Sequence, residues 1–329
     1  MTRRRLSVLA RVAISACLLA LLFRTVGVAE VAAELRAARP LPLLGAVALY
    51  CVLGTWVRAL RWRALVVSLG QPITLRRVTE LFLVGTLFNQ LLPTGLGGDV
   101  VRSLMLAREG MGRARALNTV IVDRALGILP LLAVGLAAVL LAPGRAAAPV
   151  TGALLVTGTA ATVALVMLFR AHRWRRRLER VPGLGWLARR PAAARFADSF
   201  GEYHGRALAG ATSLALAFTF LLVATNALLG RAVGIHGAGL ADWAVVVPLA
   251  SLSLLLPSVG GWGVREWTYV GLLGLLHPPV GAHTATAVSL LFGALNLLLA
   301  AAGALLTVTG GSPGLPDPGA LEREAPPHA

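Results

Sequence analysis

The sequence predicts an all-α integral membrane protein, a polytopic helical bundle with a broken helical segment in each half. Only 14% of the 329 residues are charged and 57% are hydrophobic, whereas soluble domains carry about 25% charged residues. Charge-free runs at 149–169, 207–230 and 278–309 can cross the hydrocarbon core, which needs about 20 helical residues. The broken segments are two related stretches, 89–102 and 255–266, in which Pro and Gly interrupt apolar sequence.

The N-terminal part is predicted to contain two spans. An apolar run at 6–23 follows a basic start and fits an anchor helix, with a cleavable signal peptide as the alternative. The second span, 41–57, ends in a basic cluster that contains Arg58, Arg61 and Arg63. Arginines concentrate on the cytoplasmic side of membrane proteins, so this cluster is predicted to mark a cytoplasmic end.

The first broken segment, at 80–101, is predicted to be re-entrant. Arg76 and Arg77 precede it, and four more arginines follow it within 102–115. If the segment crossed the bilayer, one of these basic clusters would lie outside, against the positive-inside rule. A hairpin that enters and leaves on the cytoplasmic side removes this conflict.

The second half is predicted to repeat this plan with the opposite sense. The remaining full spans are 117–141, 149–169, 207–230 and 278–309, and the second broken segment is 243–276. If that segment enters from outside, the chain has six full spans and two re-entrant segments arranged as an inverted repeat, a plan that recurs in transporters. Eight full spans are the alternative, because few charges flank the second broken segment.

The arginine distribution predicts the orientation in the cytoplasmic membrane. All 31 basic residues are arginine, the net charge is +17, and ten arginines fall within 170–206. We expect that segment to be a cytoplasmic loop on anionic headgroups, with a dedicated partner-binding surface as the alternative. Both termini are predicted to be cytoplasmic, and Gly144 and His236 external. Residues 1–309 are predicted to form one transmembrane domain, followed by a disordered cytoplasmic tail at 310–329.

Both broken stretches carry charged residues at membrane depth. The stretch NQLLPTGLGGDVVR contains Asp99 and Arg102, and the stretch LLPSVGGWGVRE contains Arg265 and Glu266. A broken helix in lipid leaves backbone N–H and C=O groups unpaired, at several kcal/mol each, unless it is buried in protein or lines a wet cavity. Charged residues inside a membrane are functional candidates by default. We therefore predict that the two stretches build one site.

The predicted site binds an anion. Half-helices are expected to begin near Val100 and Val264, where unpaired N–H groups and the positive end of the helix dipole suit a phosphate. Arg102 and Arg265 would add bidentate bonds to the same anion from opposite halves of the molecule. The acidic neighbour of each arginine would hold it in the empty site, or contact an amine or hydroxyl headgroup. The alternative is that both motifs are helix breaks whose salt bridges are satisfied locally.

A third motif, the pair Asp123-Arg124, lies near the start of a predicted span. Adjacent residues point to different sides of a helix, so one is expected to reach the site and the other the interface. The predicted substrate-binding residues are Asn89, Gln90, Pro93, Gly97, Gly98, Asp99, Arg102, Asp123, Arg124, Pro257, Gly260, Gly261, Arg265 and Glu266.

The sequence contains no recognisable pattern for catalysis or metal binding. Cys17 and Cys51 have no metal spacing, and the six histidines are scattered. Walker, kinase and zinc signatures do not occur. No catalytic residue, metal or cofactor is therefore predicted, although this does not exclude an enzyme. Nucleic-acid binding is not predicted, because so apolar a chain leaves no room for a recognition fold.

In these motifs the sequence resembles the lysylphosphatidylglycerol synthase transmembrane region, a flippase-like family of bacterial and archaeal membrane proteins. The resemblance covers roughly residues 5–309. It is carried by Asn-Gln-Leu-Leu-Pro at 89–93, Gly-Gly-Asp at 97–99 with Arg102, Asp123-Arg124 with Gly127, and the stretch from Pro257 to Glu266.

The resemblance implies a role in lipid translocation. In the best understood relatives this region is joined to a soluble aminoacyl-transferase domain and moves the modified lipid between leaflets. The sequence ends about twenty residues after its last predicted span, so we expect no such domain here. The implied function is transport of an anionic phospholipid or lipid-linked headgroup across the cytoplasmic membrane. The alternatives are a lipid-modifying enzyme similar to phosphatidylglycerol lysyltransferase, and an accessory subunit of a cell-envelope glycosyltransferase. A lipid-modifying enzyme is also a candidate partner.

Overall fold

The fold is all-α in the residues that the computed structural model describes, which are 3–92, 97–141, 148–170, 198–253, 256, 258–276 and 278–309. Across these residues the helices are α1 (Arg3–Val26), α2 (Val28–Arg36), α3 (Pro40–Val47), α4 (Thr55–Ser68), α5 (Leu75–Leu91), α6 (Gly97–Arg108), α7 (Arg113–Leu141), α8 (Ala148–Phe169), α9 (Gly205–Ala232), α10 (Leu240–Ser253), α11 (Val264–Gly274) and α12 (Ala282–Val308). A π-helix, Ala48–Gly54, joins α3 to α4.

Several of the described helices are long and apolar enough to cross a membrane. Four stretches meet this condition, namely Pro40–Ser68, Arg113–Leu141, Gly205–Ala232 and Ala282–Val308. Helices α1 and α2 give a fifth candidate span that bends by 82°. The protein is therefore a multi-pass helical membrane protein, as predicted. The totals of six or eight spans and the inverted repeat stay predictions.

Both predicted helix breaks are present. One separates α5 from α6, and the other separates α10 from α11. In the second break, Gly260, Gly261 and Gly263 have φ angles of 58°, 83° and 86°, in the left-handed region that glycine adopts most readily. Pro93 and Pro257, the predicted helix breakers, lie outside the described residues. The three glycines thus allow the chain to reverse direction in the second break, and α11 begins directly after them, at Val264.

The two broken segments lie between the same pair of long helices. In the first segment α6 packs on α7 and α5 packs on α12; in the second, α10 packs on α7 and α11 packs on α12. Glycines allow close approach: a Cβ on Gly98 would overlap the carbonyl oxygen of Gly85, and one on Gly303 would overlap that of Leu83. Small residues serve this purpose in membrane bundles generally. This packing brings the two sequence motifs toward one another.

The apolar residues form buried clusters and an exposed outer surface. One cluster surrounds Trp243 and Tyr269, and another surrounds Trp62. On the outside, Leu141 and Val308 are 85% and 84% exposed. Exposed apolar surface of this kind fits contact with hydrocarbon, in agreement with a membrane location.

Three sequence predictions concern segments beyond the described residues. They are the external position of Gly144, most of the cytoplasmic loop at 170–206, and the disordered tail at 310–329. These stay predictions.

Candidate functional site

One cavity of about 300 Å³ lies where the two broken segments meet. Its lining combines predicted site residues with other residues of α5, α7 and α10 and with residues of α4, the π-helix, α9 and α12. The predicted residues in the lining are Asn89, Gln90, Asp99, Arg102, Asp123, Arg124, Gly260 and Gly261. The other lining residues are Tyr50, Arg58, Arg61, Phe82, Gly85, Thr86, Gly127, Ile128, Leu131, Phe218, Leu222, Ser251, Leu252, Phe292 and Asn296.

Asn89 and Gln90, at the end of α5, connect the two sides of this cavity. The side-chain oxygen of Asn89 accepts a hydrogen bond from the Gly98 N–H at 2.8 Å, which ties α5 to the start of α6. The Oε1 atom of Gln90 lies beside Gly260, so close that a Cβ at residue 260 would be 2.5 Å from it. That oxygen is buried and accepts no hydrogen bond from the residues described. The first motif therefore touches the second at the cavity wall.

Five charged side chains form an open chain of alternating sign beside the cavity. Arg61 Nε lies 2.7 Å from Asp123 Oδ1, and Asp123 Oδ2 lies 3.1 Å from Arg102 Nη2. Arg102 Nε lies 3.1 Å from Asp99 Oδ1, and the other oxygen of Asp99 accepts a hydrogen bond from Arg124. Asp99 thus holds Arg102, as the sequence predicts. We call this set the ion chain; its three arginines and two aspartates leave a net charge of +1.

Three consecutive members of the ion chain are deeply buried, whereas the side chain of its terminal residue Arg124 is 35% exposed. Arg61, Arg102 and Asp123 are 5%, 4% and 2% exposed. Removing one partner of a buried ion pair costs about 3–5 kcal/mol, because it leaves the other charge uncompensated. Asp123 and Arg124 point to different sides of α7, yet both line the cavity, because Asp99 on α6 reaches Arg124. The expectation that one of the pair faces the interface stays a prediction, and the Arg124 side chain is the more exposed of the two, at 35% against 3%.

The ion chain retains hydrogen-bond donors with no acceptor in the described structure. Arg61 Nη1 is buried and has no partner. Arg102 Nε is within ion-pair distance of Asp99 but is not aligned for a hydrogen bond. Leaving a buried donor unsatisfied costs about 1–3 kcal/mol. These donors are suited to an additional anion.

Arg58 is a fourth cavity arginine, although its place in the sequence predicts only a basic cluster at the end of a span. Its guanidinium lies 4.8 Å from the ring centre of Tyr50, 4.8 Å from that of Phe82 and 4.7 Å from that of Phe218. Its Nε donates to the carbonyl oxygen of Gly54 at 3.1 Å. Arg58 pairs with no carboxylate among the residues described. We call Arg58 and its three rings the arginine box.

Arg58 and Arg61 are absent from the predicted site residues, although the sequence contains a signal for both. Arg58 and Arg61 are three residues apart, so they lie on one face of α4. Arg61 then meets Asp123, which is 62 residues away along the chain. The spacing predicts a shared face, whereas only the packing of α4 on α7 shows that this face meets a carboxylate.

The second predicted arginine, Arg265, lies away from the cavity lining. It donates to Glu266 through Nε at 3.0 Å and Nη2 at 2.6 Å, and Nε also lies 3.2 Å from Ser289 Oγ. Its guanidinium stacks on Trp262 at 4.7 Å. Arg265 and Glu266 are 2% and 0% exposed. Glu266 holds Arg265, as the sequence predicts, and the pair braces the loop that carries Gly260.

The side chains of Glu266 and Asn89 also accept hydrogen bonds from backbone N–H groups at the starts of the two half-helices. The N–H of Gly263, just before α11, donates to Glu266 at 2.7 Å, and the N–H of Gly98 donates to Asn89. The half-helices begin at Gly97 and Val264, close to the predicted starts. These two N–H groups therefore have protein acceptors in this structure.

The lining favours binding of an anion over metal binding. No group of three or more His, Cys, Asp or Glu residues that could hold a metal occurs in the part of the chain that the structure describes. Four arginines (58, 61, 102 and 124) line the cavity together with two aspartates (99 and 123), which leaves a net charge of +2.

Comparison with known proteins identifies the family. No curated protein matches the sequence significantly. Residues 8–303 match the family model described as the lysylphosphatidylglycerol synthase TM region. This match covers most of the 329 residues and agrees with the resemblance carried by the motifs. The chain belongs to the family of the lysylphosphatidylglycerol synthase transmembrane region.

Proposed function

We propose that this protein binds the phosphate-bearing headgroup of an anionic phospholipid or lipid-linked substrate in the cavity and moves it across the cytoplasmic membrane. The observation that carries the proposal is the net charge of +2 on a cavity built from both broken segments. Membership of a family related to lipid handling supports a lipid as the substrate.

Arginine is the side chain best suited to this anion. Its planar fork forms bidentate, charge-assisted hydrogen bonds to phosphate oxygens. Arg61 Nη1 already presents a buried donor without an acceptor among the described residues. A phosphate next to Arg61 and Arg102 would satisfy that donor and offset the surplus charge. Gln90 and Asn296 also line the cavity and can contact hydroxyl groups of a headgroup.

The broken segments supply a route for movement. Each is a pair of short helices held between α7 and α12, and broken helices of this kind form midplane sites in secondary transporters. We propose that the two segments shift against each other, so that the cavity opens to one leaflet and then to the other. The proposed orientation, with both termini cytoplasmic, follows from the arginine distribution.

Reconstitution into liposomes tests this function. Protein is placed in vesicles with a headgroup-labelled phosphatidylglycerol, and the exposure of the label on the opposite leaflet is followed with a membrane-impermeant quencher. We expect faster exposure than in protein-free vesicles, with the lipid chemically unchanged, and a rate at least about tenfold lower for Arg102→Met, the loss of about 1.4 kcal/mol of interaction. Arg76→Met is the matched control, because the Arg76 side chain is 90% exposed and lies outside the cavity lining.

Two results would contradict transport. Conversion of the lipid to a new species by the purified protein alone would indicate an enzyme. Exposure no faster than in empty vesicles, restored only when a co-purified enzyme is added, would indicate an accessory subunit.

A further inference from the structure

The surplus positive charge of the cavity is divided between two places. The arginine box carries one charge on Arg58, which has no carboxylate partner in the described structure. The ion chain carries the other, because among the described residues its three arginines are matched by two aspartates, and Arg61 Nη1 is buried without an acceptor there. A headgroup that neutralises the cavity must therefore reach both places.

The arginine box holds the Arg58 guanidinium at the cavity lining without a carboxylate beside it. Aromatic faces attract a guanidinium through their quadrupole, and they do so without neutralising it. Three rings surround this one guanidinium at nearly equal distances, 4.7 to 4.8 Å. The Gly54 carbonyl oxygen and the Thr55 hydroxyl occupy its Nε and Nη2 atoms, at 3.1 and 3.4 Å. The Arg58 guanidinium therefore has no counter-charge among the described residues.

The two charges are near enough for one headgroup. The guanidinium carbon of Arg58 lies 4.8 Å from the centre of the Phe82 ring, and that of Arg102 lies 5.9 Å from the same centre. Arg58 and Arg61 also lie on one face of α4. Since both guanidinium groups lie near Phe82 and both residues line the same cavity, a phosphate-bearing headgroup bound in the cavity lies near both.

We propose that the cavity selects a headgroup ending in a phosphomonoester, which carries up to two negative charges, over one joined through a singly charged phosphodiester. This proposal rests on the proposed function and names the substrate class of the same site. A phosphomonoester carries about −1.5 to −2 charges near neutral pH, since its second pKa is about 6. It can place charged oxygens toward Arg58 and toward Arg61 at once. A phosphodiester would leave one of the two arginines uncompensated.

The same charge distribution disfavours a positively charged headgroup. Both cavity aspartates are already held by arginines, Asp123 by two and Asp99 by two. An added ammonium group would therefore meet surplus positive charge. We expect a lipid esterified with a basic amino acid to bind this chain more weakly than its unmodified parent lipid.

Competitive lipid binding to the purified full-length protein tests the proposal. Native mass spectrometry is recorded with equimolar phosphatidic acid and phosphatidylglycerol of identical acyl chains, at about pH 8, where most of the monoester carries two negative charges, and at about pH 5, where most of it carries one. A polyprenyl monophosphate is tested in the same way against phosphatidylglycerol. We expect each monoester to be preferred about tenfold at the higher pH, which corresponds to one additional ion pair of about 1.4 kcal/mol, and less at the lower pH. Whichever monoester binds more tightly indicates the lipid source.

We expect the preference for the monoester to depend on pH through the second ionisation of the lipid phosphate alone. The described cavity lining contains no histidine, so the lipid phosphate is the group that titrates in this range. Arg58→Met should reduce the preference to near parity, while Arg76→Met should preserve it. Arg58→Lys should retain part of the preference, because it keeps the charge but not the fork.

The outcomes separate this inference from the proposed function. Equal binding of monoester and diester at both pH values would overturn the inference but leave anion binding in place. Binding of neither lipid would overturn both. The wild-type comparison needs no variant, so a misfolded Arg58→Met protein does not remove the test.

Discussion

Gln90 of the first broken segment lies against Gly260 of the second, with no room for a side chain at residue 260. The two residues are far apart in sequence, and each belongs to a motif of its own. Their contact closes one wall of the cavity that also contains the ion chain. The cavity is therefore a joint product of both halves of the molecule.

We expect Gly260→Ala to impair transport strongly. The residue has a φ of 58°, and the new Cβ would come within 2.5 Å of Gln90 Oε1. A non-glycine residue in a strained conformation of this kind costs about 1–3 kcal/mol, and relief of the contact would move the two segments apart. Transport rate per folded protein is the measurement. Gly271→Ala is the control, because no atom lies within 4 Å of its new Cβ; equal rates for both variants would contradict the joint wall.

We expect Asp123→Asn to destabilise the protein more than any exposed ion-pair variant. The substitution removes the shared partner of Arg61 and Arg102, and breaking a buried pair costs about 3–5 kcal/mol. Glu202→Gln is the comparison, because its pair with Arg115 is exposed and worth about 0–1 kcal/mol. Thermal unfolding in detergent measures both. Similar midpoints for the two variants would show that the ion chain does not stabilise the fold.

Arg102→Lys and Arg265→Lys should have different effects. Arg102 lines the cavity, so loss of its fork should weaken lipid binding and transport about tenfold while the protein stays folded. Arg265 contacts Glu266, Ser289 and Trp262 instead, so its replacement should lower the unfolding midpoint. The folded fraction of Arg265→Lys should transport at close to the wild-type rate. Reduced lipid binding by Arg265→Lys at an unchanged midpoint would instead support the direct role that the sequence predicts.

The predicted orientation is tested by single-cysteine labelling in a background without Cys17 and Cys51. Positions within 170–206 and both termini should react only when the cytoplasmic face is accessible, and Gly144→Cys and His236→Cys should react from outside. The physical reason is the concentration of arginine in the predicted cytoplasmic segments. An externally labelled position within 170–206 would contradict this topology.

The sequence predicts the helix breaks and the charged residues beside them, because Pro, Gly and charge are all unfavourable inside an apolar helix. These patterns alone are enough to select Asp99, Arg102 and Asp123 as site candidates. They do not select Arg58, because a basic residue at the end of a span usually marks the interface. Only the approach of Phe82 and Phe218 from other helices turns Arg58 into a cavity residue.

The separation of Arg265 from the cavity could not be predicted for a related reason. The two motifs are similar in sequence, which favours similar roles for their arginines. The structure differs because Arg265 finds its carboxylate in the adjacent residue and a hydroxyl on α12, whereas Arg102 pairs with α7. Which partner an arginine meets depends on the packing of helices that are distant in sequence.

An experimental density map of the protein in nanodiscs that contain anionic phospholipid would test anion binding in the cavity most directly. We predict density for a phosphate group between Phe82 and the ion chain, within hydrogen-bond distance of Arg61 Nη1, the buried donor that has no acceptor in the described structure. The same map for Arg102→Met should show weaker phosphate density at that position. A cavity filled by water or acyl chain alone, with headgroup density elsewhere on the protein, would contradict the proposed site.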